Sequence, residues 1–412
     1  MIHSVVIVGA GHAGFQVAAY LRQDGFQGDV TLVGNEPGLP YKRPPLSKTY
    51  MTGAMATDAL YFRPAKYFAE QHINLMHDEV VAIDRTNDHV ALKSGGTLPY
   101  EHLVLAVGAH NRPLPVPGAQ LDGVFGLRTL ADADRLAPRL KSARNVIVVG
   151  AGFIGLEFAS VAKAAGASVH VLELSDRAMA RGVSHEMADF FRQAHERDGV
   201  RMDFREGLAQ VVEGTGEQQG KVVGVLTTRK RELPADIVVF GIGVLPNVQL
   251  ASEAGLDIEN GVRVDSHLLT SDPKISTIGD SAFFPSPYAA GFIRLEAVQN
   301  AVDQGRTVAA RITGKPAAYE AVPWFWTDQG PLKLQIAGIL TGYDTTVVVG
   351  RPEDSKFSVL CFRRGHLAAV ESLNHPGDHM AARRILARTP TLSPNDAAAP
   401  GFELKAWEAA SK

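Results

Sequence analysis

Cysteine is the residue that this sequence has least of. Cys361 is the single cysteine among 412 residues, which excludes an intramolecular disulfide framework, a CxxC redox pair and an iron–sulfur cluster held by four cysteines. The sequence also lacks a surplus of charge of one sign, because 41 basic residues stand against 44 acidic ones and the net charge is −3. This balance gives no support to a nucleic-acid-binding scaffold.

Long hydrophobic runs are missing as well. No stretch offers 18 apolar residues free of charge or of dense glycine, and the N-terminus enters a strand-like run, Val5–Val8, without a charged region before it. These features predict a soluble cytoplasmic protein with no membrane span. At roughly 100–200 residues per domain, the length predicts two to four domains.

The sequence contains an internal repeat. Val6–Gly14 reads VIVGAGHAG, and Ile147–Gly155 reads IVVGAGFIG. Each copy follows an apolar strand-like run and opens a helix-like segment, which ends at Gly25 or Gly166 and is followed by another β-rich run. Strand, turn, helix and strand in this order form the βαβ unit of a doubly wound sheet. The fold class is therefore predicted as α/β, with two Rossmann-like dinucleotide-binding domains.

The glycines of the two GxGxxG motifs have a common purpose. They allow a tight turn and the close approach of a pyrophosphate, whose charge is met by the helix N-terminus. A single motif is a weak signal, and the alternative for either copy is a mere helix–strand contact, but two copies in the right context are much stronger. The predicted contacts are Gly9, Gly11 and Gly14 in the first copy and Gly150, Gly152 and Gly155 in the second.

The two copies differ after their second strand. In the second copy this strand ends in Glu173, whose carboxylate would accept a hydrogen bond from a ribose 2′-hydroxyl and repel a 2′-phosphate. Glu173 therefore predicts NADH over NADPH, whereas the nearby Arg177 favours the opposite choice. In the first copy the position is Gly34, with Asn35 and Glu36 only later, which suits a different dinucleotide.

A basic, proline-rich segment follows the first repeat. Pro44 and Pro45 fix the backbone, while Arg43 and Lys48 bring positive charge toward the first βαβ unit. The alternative is a surface turn with solvated bases. Two dinucleotide sites without a cysteine pair indicate a flavin together with a nicotinamide.

The C-terminal part changes to alternating strands from about residue 321. The predicted elements are a helix over Arg294–Thr313, strands over Leu334–Leu340, Thr345–Val349 and Phe357–Cys361, and a helix near His379–Leu386. Pro376 and Gly377 should break any helix that would align His375 with His379, so no metal site is expected. Cys361 is expected to be a small buried residue.

Further motifs follow in order along the chain: Ile278–Asp280 (IGD), Arg294–Asn300 (RLEAVQN) and Pro323–Gln329 (PWFWTDQ). With the two glycine motifs and the segment Pro44–Lys48 (PPLSK), they resemble the NADH-dependent ferredoxin reductases of oxygenase systems, the putidaredoxin reductase type. The resemblance covers nearly the whole chain. It implies a glutathione-reductase-like fold with an FAD-binding domain (1–108 and 244–320), an NADH-binding domain (109–243) and a C-terminal α+β domain (321–412).

The same resemblance implies residue roles. Lys48 and Glu157 resemble the pair beside flavin N5, where the hydride arrives, and Trp326 would lie toward the flavin and the partner-facing edge, although composition alone favours plain core packing for Trp326. Asp280 would bind the ribityl chain of FAD, and Val298 would face the pyrimidine end. The other FAD contacts implied are Ala13, Asn35 or Glu36, Arg43, Val80 and Arg128, and the NADH contacts are Gly152, Phe153, Ile154, Glu173, Gly241, Ile242 and Gly243.

The function implied is that of an FAD-dependent enzyme that takes hydride from NADH and passes single electrons to a [2Fe–2S] ferredoxin. The ferredoxin would supply a haem-thiolate monooxygenase or a ring-hydroxylating oxygenase. Another NADH-dependent flavoprotein of the same fold, a rubredoxin, monodehydroascorbate or oxygen reductase, would differ in not needing added ferredoxin. A non-enzymatic NADH-sensing protein resembling apoptosis-inducing factor is the second alternative, which the missing basic surplus disfavours.

Coenzyme choice gives the first testable prediction. Because Glu173 would repel a 2′-phosphate, NADH should exceed NADPH in kcat/KM by at least about tenfold, which corresponds to about 1.4 kcal/mol. The Glu173→Ala variant should narrow this gap. Steady-state kinetics with both coenzymes measure it, and equal efficiency of the wild-type protein with both would contradict the assignment.

Overall fold

Strands and helices follow one another in the order that the two repeats predict. The computed structural model describes residues 2–388 and 391–411. Its strands are β1 Ser4–Val8, β2 Asp29–Gly34, β3 Ile73–His77, β4 Val80–Asp84, β5 His89–Leu92, β6 Thr97–Pro99, β7 His102–Leu105, β8 Ala109–Asn111, β9 Val124–Gly126, β10 Asn145–Val149, β11 Ser168–Glu173, β12 Arg201–Phe204, β13 Leu208–Glu213, β14 Val222–Thr227, β15 Glu232–Pro234, β16 Ile237–Phe240, β17 Val244–Pro246, β18 Ile258–Glu259, β19 Gly261–Arg263, β20 Ile275–Thr277, β21 Ala282–Ser286, β22 Gly291–Ile293, β23 Trp324–Gln329, β24 Leu332–Gly338, β25 Thr345–Arg351, β26 Lys356–Arg363 and β27 His366–Leu373. Its helices are α1 His12–Gln23, α2 Thr57–Leu60, α3 Ala65–Glu70, α4 Leu130–Leu140, α5 Phe153–Ala164, α6 His185–Arg197, α7 Gln249–Glu253, α8 Val298–Ile312, α9 Pro376–Leu386, α10 Pro394–Ala397 and α11 Leu404–Ala410.

The chain divides into two units. The first consists of Met1–Lys42, Asp58–His110 and Leu245–Phe325, and the second of Arg43–Thr57, Asn111–Val244 and Trp326–Lys412. Within the described ranges, the helices are all too short or too polar to cross a membrane.

A parallel sheet forms the centre of the first unit. Its strand order is β20-β7-β1-β2-β3, and β1 pairs in parallel with β2 on one side and β7 on the other. Because a parallel strand in this position is covered on both faces, its sequence is continuously apolar rather than alternating. Val5–Val8 is accordingly buried at every position. Helix α1 packs on this sheet through Val17, Ala18 and Leu21, which are fully buried.

The second unit repeats this arrangement. Its parallel sheet has the order β12-β11-β10-β16-β9, and β10 is buried over Val146–Val149 just as β1 is over Val5–Val8. A small antiparallel sheet, β13-β14-β15, is attached to it. The glycine-rich turn over residues 214–220 joins β13 to β14, as expected of a hairpin loop.

An antiparallel sheet with the order β23-β24-β27-β26-β25 makes up most of the C-terminal part. The predicted strands Thr345–Val349 and Phe357–Cys361 lie within β25 and β26, whereas the predicted Leu334–Leu340 overlaps β24 but runs two residues past its end at Gly338. Strand β27 was missed because its apolar residues are interrupted by Glu371 and Ser372. Cys361 is fully buried on β26, as predicted.

Two predicted helix starts were wrong. Helix α8 begins at Val298 rather than at Arg294, because Ala297 before it has extended backbone (φ −138°, ψ 138°). Helix α9 begins at Pro376 rather than near His379, although Pro376 was predicted to break a helix. Proline is favoured in the first turn, where its missing N–H has no helical partner to lose.

A buried carboxylate lies between strand β27 and the N-terminus of α6. Glu371 is fully buried, and its Oε1 accepts a hydrogen bond of 2.9 Å from the backbone N–H of Ser184, the N-cap residue of α6. The thiol of Cys361 lies 4.0 Å from Oε2. Burial raises the pKa of Glu371 to about 7, because the charged form is poorly solvated there.

This raised pKa predicts a pH-dependent stability. Between about pH 4.5 and 7 the folded chain holds a proton on Glu371 that the unfolded chain has lost, so this group lowers stability as the pH rises through that window. The Glu371→Gln variant keeps an acceptor for Ser184 but cannot ionise. Its free energy of unfolding should exceed that of the wild type by about 3 kcal/mol at pH 8 and by only about 1 kcal/mol at pH 5. Denaturant unfolding curves at both values measure this.

The exposed Glu353→Gln variant is the matched control, since it also removes a carboxylate. A difference between Glu371→Gln and wild type that is the same at pH 5 and pH 8 would contradict the prediction.

Candidate functional site

The first glycine turn is closed by contacts that only glycine permits. Gly9 has φ +107°, and a Cβ there would lie 2.3 Å from the carbonyl oxygen of Ala106. At Gly14 a Cβ would lie 1.9 Å from the carbonyl oxygen of Gly9. These two glycines therefore let β1, the turn and α1 pack together.

The middle glycine of this turn has a different reason. Gly11 has ordinary extended backbone (φ −78°, ψ −163°), and a Cβ built on it meets no heavy atom of the described residues within 4 Å. Nothing in the fold itself requires glycine there. The space lies at the N-terminus of α1, where backbone N–H groups lack helical partners, so the cradle fits a dinucleotide pyrophosphate.

The second glycine turn has the same geometry. Gly150 has φ +99° with a Cβ position 2.6 Å from the Gly241 carbonyl oxygen, and Gly155 would place a Cβ 2.1 Å from the carbonyl oxygen of Gly150. At Gly152 the nearest described atom would be 3.8 Å away. The second turn therefore also leaves room for a pyrophosphate at its middle glycine, here at the N-terminus of α5.

The two units differ in the last residue of the strand that follows the glycine turn and its helix. Gly34 ends β2 and Glu173 ends β11. A Cβ at Gly34 would lie only 2.6 Å from the Cβ of Ala10, so the first turn leaves no room for a side chain at that position. A ribose bound at the first turn would therefore need a different contact. Nearby, the phenol of Tyr41 donates a hydrogen bond to the Glu36 carboxylate.

Glu173 is held in place by the main chain. Its Oε2 accepts 2.7 Å from the N–H of Ala151 in the glycine turn, and its Oε1 accepts 2.7 Å from the N–H of Ser175. Each oxygen keeps a further lone pair for a ribose hydroxyl. Arg177, which could have favoured a 2′-phosphate, donates instead to the carbonyl of Ala180 at 2.7 Å.

The remaining predicted FAD residues of the first unit lie on different elements. Asp280 lies in a 3₁₀ turn, Gly279–Ser281, whose Gly279 would place a Cβ 3.2 Å from that of Ala13, so this turn packs on the start of α1. Val298 is the first residue of α8, and the half-buried Val80 is the first residue of β4.

The second unit contains the other predicted residues. Arg43 Nη1 donates 2.9 Å to the carbonyl of Arg128, which joins the proline-rich segment to the start of α4. Phe153 and Ile154 form the first turn of α5, and Ile154 is 44% exposed. The loop Gly241–Ile242–Gly243 directly follows β16 and lies against the second glycine turn.

A buried ion pair lies within the second unit. Lys48 Nζ is 2.8 Å from Glu157 Oε1, and the two side chains are 18% and 2% exposed. Glu157 lies on α5, two residues after the last glycine of the second glycine motif. Thr327 Oγ1 donates 2.6 Å to Oε1, and Ser47 Oγ donates 2.6 Å to Oε2. The Glu157 carboxylate is thus in contact with one cationic group and accepts from two hydroxyl donors within the second unit.

Trp326 lies on β23, one residue before Thr327, and it is half-buried. Its alternation with Thr327 puts the two side chains on opposite faces of the strand.

Sequence reasoning missed several partners of the ion pair. Ser47 belongs to the PPLSK segment, and Thr327 and Gln329 belong to the PWFWTDQ motif, but the motifs alone did not predict a role for any of the three. His195 on α6, which bonds Gln329 at 2.7 Å, had no sequence signal at all.

Two Rossmann-type units, each with a cradle for a pyrophosphate, define the class as a two-dinucleotide oxidoreductase. The chain belongs to the pyridine nucleotide-disulphide oxidoreductase family, which it matches over residues 3–305, and residues 324–407 match the reductase C-terminal family. This confirms the predicted α/β fold class and the predicted enzyme class, whose cofactors are FAD and NADH. Because the chain has a single cysteine, it cannot form the redox disulfide to which the name of the family refers.

Known relatives are similar over their full length. The chain is 48% identical to rhodocoxin reductase from Rhodococcus erythropolis, over 98% of this chain and 93% of that one. The ferredoxin reductase for the CYP199A2 system from Rhodopseudomonas palustris matches with 45% identity and a TM-score of 0.95, covering 98% and 100% of the two chains. The covalent putidaredoxin reductase–putidaredoxin complex matches with 37% identity and a TM-score of 0.96, covering 99% and 98%. The resemblance inferred from the sequence motifs is confirmed.

The two kinds of glycine in the first turn can be separated by experiment. Gly11→Ala places a methyl group in open space on ordinary backbone, so the free energy of unfolding without FAD should change by less than about 0.5 kcal/mol. The FAD content after purification should fall, because the methyl group lies where a pyrophosphate would approach. Denaturant unfolding and the flavin-to-protein absorbance ratio measure the two effects.

Gly9→Ala is the matched variant, because its Cβ would meet main-chain atoms and its φ is positive. It should destabilise the chain by roughly 1–3 kcal/mol or more even without FAD. Full FAD content in Gly11→Ala would contradict the assignment of this space to the cofactor.

Proposed function

We propose that this chain is an NADH-dependent ferredoxin reductase that passes electrons to a [2Fe–2S] ferredoxin of an oxygenase system. The terminal enzyme would be a haem-thiolate monooxygenase or a ring-hydroxylating oxygenase. The observation that carries the proposal is the buried Lys48–Glu157 pair at 2.8 Å on the helix of the second glycine turn. The relatives that match over their full length include a reductase crystallised with its redox partner, putidaredoxin.

The chemistry needs no protein nucleophile. When bound, FAD supplies the conversion of a two-electron hydride into single electrons. Because the chain has one cysteine, and that one is fully buried, electrons cannot leave through a dithiol. An acceptor of single electrons, such as an iron–sulfur protein, fits this constraint.

The nicotinamide coenzyme would be held by the second unit. The space at Gly152 would take the pyrophosphate at the N-terminus of α5. Glu173, already fixed by two backbone N–H groups, would accept from the ribose hydroxyls. The exposed side chain of Ile154 would contact the coenzyme from the first turn of α5.

FAD would be bound mainly by the first unit, at the space beside Gly11 and at the Asp280 turn. We also propose that Lys48 lies close to the reacting end of the flavin, where its positive charge, fixed by Glu157, would favour the negatively charged product of hydride transfer. The proposed domain bounds remain 1–108 and 244–320 for FAD, 109–243 for NADH and 321–412 for the C-terminal domain.

A cytoplasmic location belongs to the same proposal. A single free cysteine, fully buried and unpaired with another, is in keeping with a reducing compartment.

Trp326 tests the exit of electrons separately from their entry. If this half-buried aromatic contacts the ferredoxin, Trp326→Ala should lower ferredoxin-dependent cytochrome c reduction by about tenfold or more. Flavin reduction by NADH and turnover with ferricyanide, which needs no docking, should change less than about threefold. Stopped-flow absorbance and steady-state assays on the same preparation measure all three rates.

Trp407 on α11 is the matched control, since it is also a half-buried tryptophan of the second unit. Trp407→Ala should leave the ratio of ferredoxin to ferricyanide turnover at the wild-type value. If all three rates of Trp326→Ala fall together with the melting temperature, Trp326 is a packing residue. Wild-type turnover with oxygen or rubredoxin that exceeds turnover with every [2Fe–2S] ferredoxin tried would count against the proposed function.

A further inference from the structure

The Glu157 carboxylate is the start of a longer buried chain of polar groups. Thr327 Oγ1, which donates to Glu157 Oε1 at 2.6 Å, lies 3.5 Å from Gln329 Nε2. Gln329 Oε1 lies 2.7 Å from His195 Nε2. Glu157 and Thr327 are 170 positions apart in the sequence, yet each of the four residues is at most 4% exposed. These hydrogen-bonded side chains therefore link the Lys48–Glu157 pair to the last turn of α6 inside the second unit.

The direction of each hydrogen bond in this series follows from the Glu157 carboxylate at one end. Glu157, paired with Lys48, accepts only, so the Thr327 hydroxyl must donate its single proton to it. The Thr327 oxygen is then free to accept, which requires Gln329 to turn its NH₂ toward Thr327 and its carbonyl toward His195.

The ring of His195 must then donate from Nε2. Burial lowers the pKa of His195 below its ordinary value, which keeps the ring neutral near pH 7. A neutral imidazole carries one N–H, and here it has to be on Nε2. The Gln329 amide, between His195 and Thr327, cannot pass a proton on while keeping its ordinary structure. This series of hydrogen bonds therefore fixes the orientations of the side chains and does not conduct protons.

We propose that Gln329 and His195 are positioning residues of the Lys48–Glu157 pair, and that a neutral His195 protonated on Nε2 fixes the Gln329 amide, which in turn fixes the Thr327 hydroxyl on Glu157. This inference rests on the proposed function in one respect, namely that Lys48 assists the reduction of the flavin. The side-chain order itself, His195 to Gln329 to Thr327 to Glu157, does not depend on the electron acceptor.

Loss of the donor at position 195 would leave the Gln329 amide bonded at one end only. In His195→Leu the buried carbonyl of Gln329 would have no N–H from which to accept, and an unsatisfied buried acceptor is unfavourable. The orientation of the amide would then no longer be fixed, and the Thr327 hydroxyl would be held less firmly on Glu157. The position of Lys48 would be less well fixed as a result. His195→Gln, by contrast, supplies an amide N–H in place of the imidazole N–H.

Nitrogen NMR on the wild-type holoenzyme tests the order without any variant or turnover. Protein labelled with [¹⁵N]histidine should show His195, assigned by its absence from His195→Gln, as a neutral ring protonated on Nε2 at pH 7–8. A ring protonated on Nδ1, or a charged ring, would overturn the proposal.

Kinetics test the positioning role. Stopped-flow reduction of the bound flavin by NADH should slow about tenfold in His195→Leu and return to within about twofold of wild type in His195→Gln, since one hydrogen bond to a charged group is at stake. His102→Leu is the matched control, because His102 is also buried and bonded to a hydroxyl, that of Ser276 at 2.9 Å, but lies in the first unit. It should lower the melting temperature without changing the rate.

Equal rates in His195→Leu and His195→Gln, or a slowing in His102→Leu as large as in His195→Leu, would overturn the positioning role. The outcome is separable from that of the proposed function. Flavin reduction and the NMR spectrum are measured without ferredoxin, whereas the proposed function is tested by comparing turnover with [2Fe–2S] ferredoxins to turnover with oxygen or rubredoxin.

Discussion

Both dinucleotide units depend on main chain passing directly against main chain at a glycine. Gly9 lies against the carbonyl of Ala106, just after β7, and Gly150 lies against that of Gly241, just after β16. In each unit the contact brings together the ends of two neighbouring parallel strands. The turn that follows is thereby forced to start its helix at this edge of the sheet, where the unpaired N–H groups of the helix face the place that a phosphate would take. A single methyl group at either glycine would separate the strands.

The two units share one backbone arrangement around their glycine turns and differ in the residue that ends the next strand, Gly34 in one and Glu173 in the other. At the end of β2, the Cβ of Ala10 occupies the space that a side chain at Gly34 would need. At the end of β11, Glu173 fits and bonds the main chain of the glycine turn. One unit thus has a carboxylate at the end of this strand and the other does not. The turn geometry, which suits the pyrophosphate that every dinucleotide has, is unchanged between them.

Those parts of the fold that are local in sequence could be predicted from it. The glycine turns, the strands around them and Glu173 are contained within about thirty residues each, and their patterns are specific. The surroundings of Glu157 could not be predicted, because Ser47, Thr327 and His195 come from three distant segments that only the tertiary fold brings together. The start of α8 was misplaced for a related reason, since Arg294 is bonded to the carbonyl of Asp280 rather than to its own helix.

The solitary cysteine has a practical consequence. Cys361 is fully enclosed on β26, and burial beside Glu371 raises the pKa of its thiol, so the thiol stays protonated and inaccessible to reagents. The unmodified chain therefore provides a silent background for thiol chemistry. A cysteine introduced at any chosen exposed position would be the single reactive thiol of the molecule, and a spin label, fluorophore or crosslinker could be attached there without first removing native residues.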